Sequence, residues 1–364
     1  MAERILCVLG KLKAGGVESI MYSYYRSMDK SKYQYDFVYE ESSDFQVPKD
    51  IIDLGAKAFV VPDVSSPFKY VKAIEKIIKR EKYDIVHVNM NTLSVFSLFA
   101  AKICKVKYRI LHNHSTSSGV EKKRDLIKKV LRPFNRIFTN KPAACSELAA
   151  RWMYGDEAFE KGRIKVFRNG VDTEKFSFSQ EYRVEIRREF NLGNKKVIGH
   201  VGRFMTQKNH LFLIDIFAEY AKLDSNGVLV LVGIGELFNK VADYVKAKGL
   251  EDRVIFTGAR SDVYKIYSAF DVFVLPSLYE GLPLVGVEAC ASGLPVLFSN
   301  FVTRESKVTD AVEFLPIDDP VVWAEKLSSI GDYDRYAIAA QMKDGPYNIL
   351  NCTKELEKYY DSCH

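Results

Sequence analysis

The sequence predicts an α/β protein made of two doubly wound units, each a parallel sheet covered by helices on both faces. Short apolar runs alternate with segments of helical periodicity, and this pattern restarts after a turn at Asn169–Asp172. At 364 residues the chain is long enough for two ordinary domains. We place the first unit at 1–168 with a closing helix at about 345–364, and the second at 169–344.

The first unit opens with a strand at 4–9, followed by a Gly15-Gly16 turn and a helix from about 17 to 28. Apolar runs predict further strands at 35–39, 58–62, 85–88 and 109–112. Apolar residues at helical spacing predict helices at 68–81 and 93–103. Because strands and helices alternate at this pitch, the sheet is expected to be parallel.

The second unit repeats the alternation. Apolar runs predict strands at 197–202, 228–233, 253–257, 272–275 and 295–298. Helices are predicted at 209–223, 236–248 and 283–292, and the closing helix at 349–361. In open α/β sheets ligands bind beyond the carboxyl ends of strands, so residues that follow strands are the candidates for function.

Composition excludes several classes of protein. The chain is 47% apolar and 27% charged, as expected of a folded domain rather than a disordered one. The six cysteines form no Cys-x-x-Cys pair, which argues against a zinc site and indicates a reducing, cytoplasmic setting. The longest apolar run, 95–101, is too short to span a membrane.

Positive charge is concentrated in the first half of the chain. Residues 1–168 carry 31 Lys and Arg against 19 Asp and Glu, whereas residues 169–364 carry 22 against 28. Within the basic half, residues 121–134 form a basic amphipathic stretch. This stretch is either a solvated helix face or a patch that contacts an anionic membrane surface. No feature predicts binding to nucleic acid.

Glycines and cations follow several of the predicted strands. Gly15 and Gly16 stand between a strand and a helix, where backbone amides can hold a phosphate, although Gly-Gly is more often a plain tight turn. Gly233 also ends a strand, and there the plain turn is favoured. Arg203 and Lys208 lie at a strand-to-helix junction, and two cations at this spacing can hold a diphosphate. A solvated loop with two unrelated charges explains them equally well.

Two glutamates flank the start of a short apolar helix. Glu280 lies in a turn after strand 272–275, and Glu288 lies inside helix 283–292. A carboxylate in an apolar helix needs a partner, which is either a nearby cation or a ligand diol such as a ribose. The helix start is a further anion site, with the amides of Leu284 and Val285 directed at the same diphosphate.

Two histidines, His112 and His114, end a strand of the first unit. A metal pair is a poor interpretation because no carboxylate or cysteine accompanies them. A single histidine near a reacting centre is the favoured interpretation, and it leaves open which of the two serves.

Together these residues resemble a family 4 glycosyltransferase of the GT-B fold. The resemblance extends over nearly the whole chain and is carried by Gly15-Gly16-Val17-Glu18, the His112/His114 strand end, Asn169–Asp172, Gly202-Arg203 with Lys208, Gly233 with Gly235, and Glu280-Gly281-Leu282-Pro283 with Glu288. The last motif is the paired glutamate of the family. Residues 303–315, with Trp323-Ala324-Glu325, resemble the bacterial exopolysaccharide and capsule branch.

The resemblance implies two Rossmann-like domains that face each other across a cleft, the first binding the acceptor and the second the donor, with the C-terminal helix crossing back to the first. It implies that Arg203 and Lys208 bind the donor diphosphate, Glu288 the ribose and Glu280 the donor sugar. His114, or else His112, contacts the sugar near the reacting carbon. The remaining donor-binding positions are Gly15, Gly16, Gly233, Gly258, Arg260, Gly281, Leu282, Leu284 and Val285.

The expected activity is transfer of a sugar from a nucleotide diphosphate, with uridine favoured, to a glycan acceptor that is lipid-linked at the inner face of a bacterial membrane. The family retains anomeric configuration and needs neither a metal nor a cofactor. Two rival functions remain open. One is a nucleotide-sugar epimerase on the same fold, and the other is a non-catalytic subunit that binds the nucleotide sugar.

Overall fold

A computed structural model describes residues 2–13, 16–114 and 122–363, without the side chains of 122–125. Gly15 and the first residue of the basic stretch 121–134 therefore lie outside the described residues. The chain divides into two compact units. Unit 1 comprises Met1–Gly170 and Ile349–His364, and unit 2 comprises Val171–Asn348. The boundaries expected from the sequence, after residues 168 and 344, stand two and four residues before these.

In the described part of unit 1, the sheet has seven parallel strands in the order β3-β2-β1-β4-β5-β6-β7. The order of strands reverses between β1 and β4, so the carboxyl ends of these strands border the crevice where doubly wound sheets bind ligands. The strands are β1 Glu3–Gly10, β2 Tyr33–Glu40, β3 Lys57–Val61, β4 Ile85–Val88, β5 Tyr108–Asn113, β6 Lys141–Ala144 and β7 Lys165–Val166.

Within the described residues, seven helices connect these strands. They are α1 Gly16–Ser27, α2 Lys49–Asp53, α3 Pro67–Glu81, α4 Ser94–Ile103, α5 Lys122–Phe138, α6 Glu147–Tyr154 and α7 Asp156–Glu160. Side chains alternate between the two faces of each strand. Val86 and Val88 of β4 therefore pack into the core cluster with α3 and α4, while His87 points to the other face.

Unit 2 has six parallel strands in the order β10-β9-β8-β11-β12-β13. Here the order reverses between β8 and β11, which are neighbours in the sheet. The strands are β8 Lys196–Val201, β9 Gly227–Val232, β10 Val254–Gly258, β11 Val272–Leu275, β12 Val296–Ser299 and β13 Val312–Leu315.

Both faces of the unit 2 sheet are buried. In β9 the side chains of Val228, Val230 and Val232 join one core cluster, and Leu229 and Leu231 join another on the opposite face. This two-sided burial explains why the strand is an unbroken apolar run. The helices are α8 Gln180–Glu189, α9 His210–Leu223, α10 Phe238–Ala247, α11 Val263–Ala269, α12 Leu284–Ala291, α13 Pro320–Ser329 and α14 Arg335–Lys343. Helix α15, Ile349–Asp361, follows and belongs to unit 1.

The predicted α/β class with two doubly wound units is confirmed. The sequence did not predict strands β6, β7 and β13, which are only two to four residues long. No helix in the described part of the chain is long and apolar enough to cross a membrane.

Candidate functional site

Lys208 and Glu280 meet at the point where the strand order of unit 2 reverses. Lys208 ends a 3-10 turn after β8, and Glu280 follows β11. The Lys208 Nζ atom lies 2.5 Å from Glu280 Oε1, and the side chains are only 15% and 10% exposed. Ser277 Oγ donates a further hydrogen bond to the same oxygen at 3.1 Å. Two of the predicted donor ligands are thus each other's partners in this structure.

Arg203 lies on the same side of the sheet, one residue after the Gly202 that follows β8. Its side chain is exposed and makes no hydrogen bond or ion pair within the described ranges. A guanidinium without another partner can donate two parallel hydrogen bonds to an anion.

The turn that carries Lys208 is tied to the loop that carries Glu280. The Leu278 amide donates to Gln207 O at 2.8 Å, and Gln207 Nε2 donates to Tyr279 O at 3.0 Å. Asn209 Nδ2 donates to Pro276 O at 3.2 Å. These bonds hold the two loops in register, so the ion pair is part of a rigid junction.

Gly233 and Gly235 allow a second pair of loops to pack. A Cβ on Gly233 would lie 2.1 Å from Gly202 O, and its φ is +142°. A Cβ on Gly235 would lie 2.4 Å from Phe204 O. Close backbone approach therefore requires glycine at both positions. The plain-turn interpretation accounts for Gly233, and contact with the donor remains a prediction.

Glu288 is half-buried on α12 and bonds to a tyrosine. Tyr267 Oη lies 2.8 Å from Glu288 Oε2 and 3.0 Å from Val285 O. Burial raises the pKa of the Glu288 carboxyl to about 7, and the Tyr267 hydrogen bond and the charge of Lys175 oppose this rise. From the sequence, the partner of the Glu288 carboxylate was expected to be a cation or a ligand. In the structure the partner is the phenol of Tyr267, which the sequence analysis had not identified.

The start of α12 lies next to Glu280. Pro283 precedes the helix with φ −75°, and Leu282, Leu284 and Val285 are partly buried against the unit 2 core. Gly281 is exposed, and a Cβ there would meet nothing within 4 Å. The first-turn amides have no acidic side chain to cap them.

Arg260 follows β10 but is already engaged. Its guanidinium donates to Asp262 at 2.8 Å and also to Glu189. A role in donor binding would require this arrangement to open. Gly258, at the end of the same strand, has φ +71° and open space around it.

The two histidines of unit 1 lie at the end of β5 with their rings in contact. His112 is fully buried, and its ring centroid is 4.0 Å from that of His114. His114 Nε2 bonds Asn89 Oδ1 at 2.9 Å. Burial lowers the pKa of His114 to about 3 and that of His112 well below its usual range, so both rings are neutral at physiological pH. Gly16 begins α1, with open space where a Cβ would stand.

A third histidine, His87, joins them. His87 Nε2 lies 3.3 Å from His112 Nδ1, and His87 Nδ1 lies 2.6 Å from Tyr360 Oη on α15. Sequence reasoning missed both residues, because His87 lies inside an apolar strand and Tyr360 is 273 residues away. Only the fold brings them together.

Metal ligands do not cluster in the described ranges 2–13, 16–114 and 122–363. No three His, Cys, Asp or Glu side chains there come close enough to hold an ion.

Profiles of two protein families match the chain. The profile described as Glycosyltransferase Family 4 matches residues 14–175, and the one described as Glycosyl transferases group 1 matches residues 183–330. Each match lies mostly in one of the two units.

Two relatives are similar over most of their length. The Bacillus subtilis protein EpsF, provisionally described as a glycosyltransferase, is 33% identical over 334 residues, which cover 90% of this chain and 87% of EpsF. The Escherichia coli enzyme named UDP-Gal:alpha-D-GlcNAc-diphosphoundecaprenol alpha-1,3-galactosyltransferase is 31% identical over 307 residues, which cover 78% of this chain and 76% of the enzyme.

A solved structure shares the fold. Anabaena HepE, crystallised with UDP and glucose, superposes with a TM-score of 0.77 over 98% of this chain and 99% of its own. Its sequence identity of 18% shows the likeness of fold alone.

Proposed function

Because the chain belongs to glycosyltransferase family 4, we propose that it transfers a sugar from a UDP-sugar to a lipid-linked glycan acceptor with retention of anomeric configuration. The observation that carries this proposal is the pairing of Lys208 with Glu280 where the strand order of unit 2 reverses. The names of relatives supply the substrate classes. The E. coli relative is named for a UDP-sugar donor and a diphosphoundecaprenol-linked acceptor.

Donor binding is proposed to exchange the partners of Lys208. The diphosphate carries more negative charge than a single carboxylate, so it competes well for the ammonium group of Lys208. Arg203 and the amides of Leu284 and Val285 add further donors. Once released, the Glu280 carboxylate is free to accept hydrogen bonds from hydroxyl groups of the donor sugar.

Stabilisation of the departing diphosphate is the main catalytic contribution in this proposal. Negative charge grows on the bridging oxygen as the glycosidic bond breaks, and fixed cations and amides stabilise it without reorganising. The leaving phosphate takes the proton of the acceptor hydroxyl, and the acceptor oxygen bonds to the anomeric carbon on the same face of the sugar. No protein nucleophile and no metal ion are needed for this sequence of events.

The ribose and the sugar are assigned to other residues. Glu288, when ionised, can accept two hydrogen bonds from the ribose diol. On the acceptor side, His114 has a buried Nδ1 without a partner in the described structure, which suits it to contact a hydroxyl of the sugar.

Helix α5 is proposed to contact the membrane that holds the acceptor. Five of its apolar side chains are between 47% and 64% exposed: Leu126, Ile127, Val130, Phe134 and Ile137. Phe68, on α3, is 91% exposed, and it borders an apolar cavity of about 610 Å³ that Phe134 also lines. Lys128, Lys129 and Arg132 supply positive charge on the same helix. Exposed apolar groups beside basic ones are typical of interfacial helices.

Neither rival function is favoured, because the sequence relatives that cover most of the chain are transferases. One experiment separates all three. The protein is mixed with a panel of nucleotide sugars, with and without a lipid diphosphate-linked sugar, and thermal shift and products are followed. The proposal is supported if a sugar is transferred and this happens only when the acceptor is present. An epimerised donor without acceptor supports the epimerase, and binding without any product supports the non-catalytic subunit.

A further inference from the structure

A chain of buried hydrogen bonds connects the C-terminal helix to the histidines of unit 1. Tyr35 Oη lies 2.5 Å from Tyr360 Oη, which lies 2.6 Å from His87 Nδ1. His87 Nε2 in turn lies 3.3 Å from His112 Nδ1. All four side chains are fully buried. This series of hydrogen bonds ends at His112 Nε2, which has no partner in the described structure.

Each imidazole in this chain carries a single proton. Burial lowers the pKa of His87 and of His114 to about 3, and it lowers that of His112 well below its usual range. A neutral imidazole has one N–H donor and one bare nitrogen acceptor. The position of one proton therefore determines the position of the next along the chain.

The strengths of the donors and acceptors select one direction of donation. If Tyr360 donated to Tyr35, the Tyr35 proton would have no acceptor in the described structure. If Tyr35 donates to Tyr360, then Tyr360 donates to His87 Nδ1, and the Tyr35 proton is satisfied. Either direction leaves one buried proton without a protein partner, on Tyr35 Oη or on His112 Nε2. A phenol O–H is a stronger donor than a neutral imidazole N–H, and a bare imidazole nitrogen is a stronger acceptor than a phenol oxygen, so Tyr360 donates to His87 Nδ1 and the second direction is favoured. His87 then donates from Nε2 to His112 Nδ1, and the His112 proton must lie on Nε2.

His114 has the complementary arrangement. The amide of Asn89 has three acceptors near its Nδ2, namely Cys7 Sγ, Val8 O and His87 O, so its Oδ1 faces His114. His114 therefore carries its proton on Nε2, which leaves Nδ1 as a bare acceptor. That atom also has no partner in the described ranges.

We propose that Tyr360 acts through His87 to hold His112 in the tautomer with its proton on Nε2. The His112 Nε2–H and the bare His114 Nδ1 are then a buried donor and a buried acceptor without a protein partner in the described structure, a pair that hydroxyl groups of a sugar reaching them would satisfy. Tyr360 and His87 are positioning residues, because they act through His112. The identity of the ligand rests on the proposed glycosyl transfer, whereas the tautomer of His112 does not.

The tautomers can be read directly by NMR of protein labelled with ¹⁵N-histidine, since protonated and bare ring nitrogens differ in shift and coupling. The chain has only six histidines, so single replacements assign the signals. We expect His112 and His114 both to carry the proton on Nε2. In Tyr35→Phe the proton of His112 should remain on Nε2, because Tyr360 still donates to His87.

Tyr360→Phe removes the hydroxyl that sets the direction. We expect the His112 signals to become those of a tautomer mixture, and kcat to fall about tenfold with little change in the donor KM. Tyr33→Phe is the matched control. It removes another tyrosine bond between β2 and α15, the 2.6 Å contact of Tyr33 Oη with Asp361, without touching the histidine chain.

Three results would overturn the proposal. The first is a proton on Nδ1 of His112 in the unaltered protein. This measurement does not depend on whether any variant folds. The second is a flip of that proton in Tyr35→Phe. The third is a fall in kcat for Tyr360→Phe with the His112 signals unchanged, since the hydroxyl would then only anchor α15. Inactivity of the unaltered protein on every donor would refute the proposed function and leave the NMR test intact.

Discussion

At the scale of single residues, the pairing of Lys208 with Glu280 changes how the donor site is understood. The sequence assigned the two side chains to different parts of one ligand. In the structure they neutralise each other at 2.5 Å. Without Glu280 the nearly buried ammonium group of Lys208 would be uncompensated, and such charges are costly. The ion pair thus compensates both charges, and in the proposed function it is exchanged when the diphosphate binds.

Glu288 gives a prediction with opposite effects on stability and binding. Folding raises its pKa to about 7. Because the folded state binds this proton more tightly than the unfolded state, protonation contributes to the free energy of unfolding. The contribution is complete below the ordinary glutamate pKa and is lost as pH rises through about 7. Glu288→Gln, which is always neutral, should therefore be more stable than the unaltered protein at pH 8, by up to about 3 kcal/mol. Denaturant unfolding at pH 5 and pH 8 measures the difference.

Donor binding should show the reverse trend. Only the ionised carboxylate accepts both hydrogen bonds of a ribose diol, so donor affinity should be roughly tenfold weaker at pH 6 than at pH 8. Glu288→Gln should bind weakly at both pH values. Calorimetry with the donor measures this, with Glu325→Gln on the exposed face of α13 as the control. An affinity of Glu288→Gln equal to that of the unaltered protein would disprove the ribose assignment.

At the scale of elements, the glycine loops show what packing requires. Gly233→Ala would force its Cβ to 2.1 Å from Gly202 O at a φ of +142°. We expect a loss of about 2–4 kcal/mol in the free energy of unfolding. Gly331→Ala is the control, since a Cβ there meets nothing within 4 Å. Equal stability of the two variants would show that the two loops do not approach each other this closely.

The charges of α5 give a second prediction at this scale. Replacing Lys128 and Lys129 by glutamine should weaken binding to vesicles that contain anionic lipid by about thirtyfold, because each lysine near such a surface contributes about 1 kcal/mol. Vesicle sedimentation measures binding, and Lys240→Gln with Lys246→Gln on α10 keeps the net charge matched. If both double variants bind as the unaltered protein does, α5 is a solvated helix face.

Sequence patterns predicted most of the elements and fewer of the contacts. Strand β9 was recognised because burial on both faces leaves an apolar run. Strand β6 was not, since Lys141-Pro142-Ala143-Ala144 has the composition of a loop and only its neighbours in the sheet make it a strand. Tyr267 was missed for a related reason. Its bond to Glu288 links two helices, α11 and α12, and no local pattern records it.

At the scale of the whole molecule, both sheets carry their candidate residues at carboxyl strand ends. Lys208 and Glu280 border the reversal of strand order in unit 2, and His112 and His114 end β5 of unit 1. The rule for open α/β sheets predicted this from the sequence. It could not predict the partners of these residues, because partners come from distant segments such as α15.

The anomeric configuration of the product tests the proposed reaction. With an α-linked UDP-sugar, the product should be α-linked, as shown by the anomeric NMR coupling of the isolated product. The rate should be unchanged by EDTA, because cations and amides of the protein stabilise the diphosphate. A β-linked product would mean direct displacement from the opposite face, and loss of activity in EDTA that a divalent metal restores would assign that stabilisation to a metal ion.

The turnover of Lys208→Ala tests the central claim most directly. If Lys208 stabilises the departing diphosphate, kcat with a saturating UDP-sugar should fall by about two to three orders of magnitude, or roughly 3 kcal/mol. Lys248→Ala is the control, because Lys248 also forms an ion pair, with Asp215 at 2.7 Å, in the same unit. That variant should turn over at the unaltered rate. A kcat for Lys208→Ala within a few-fold of the unaltered protein would contradict the account.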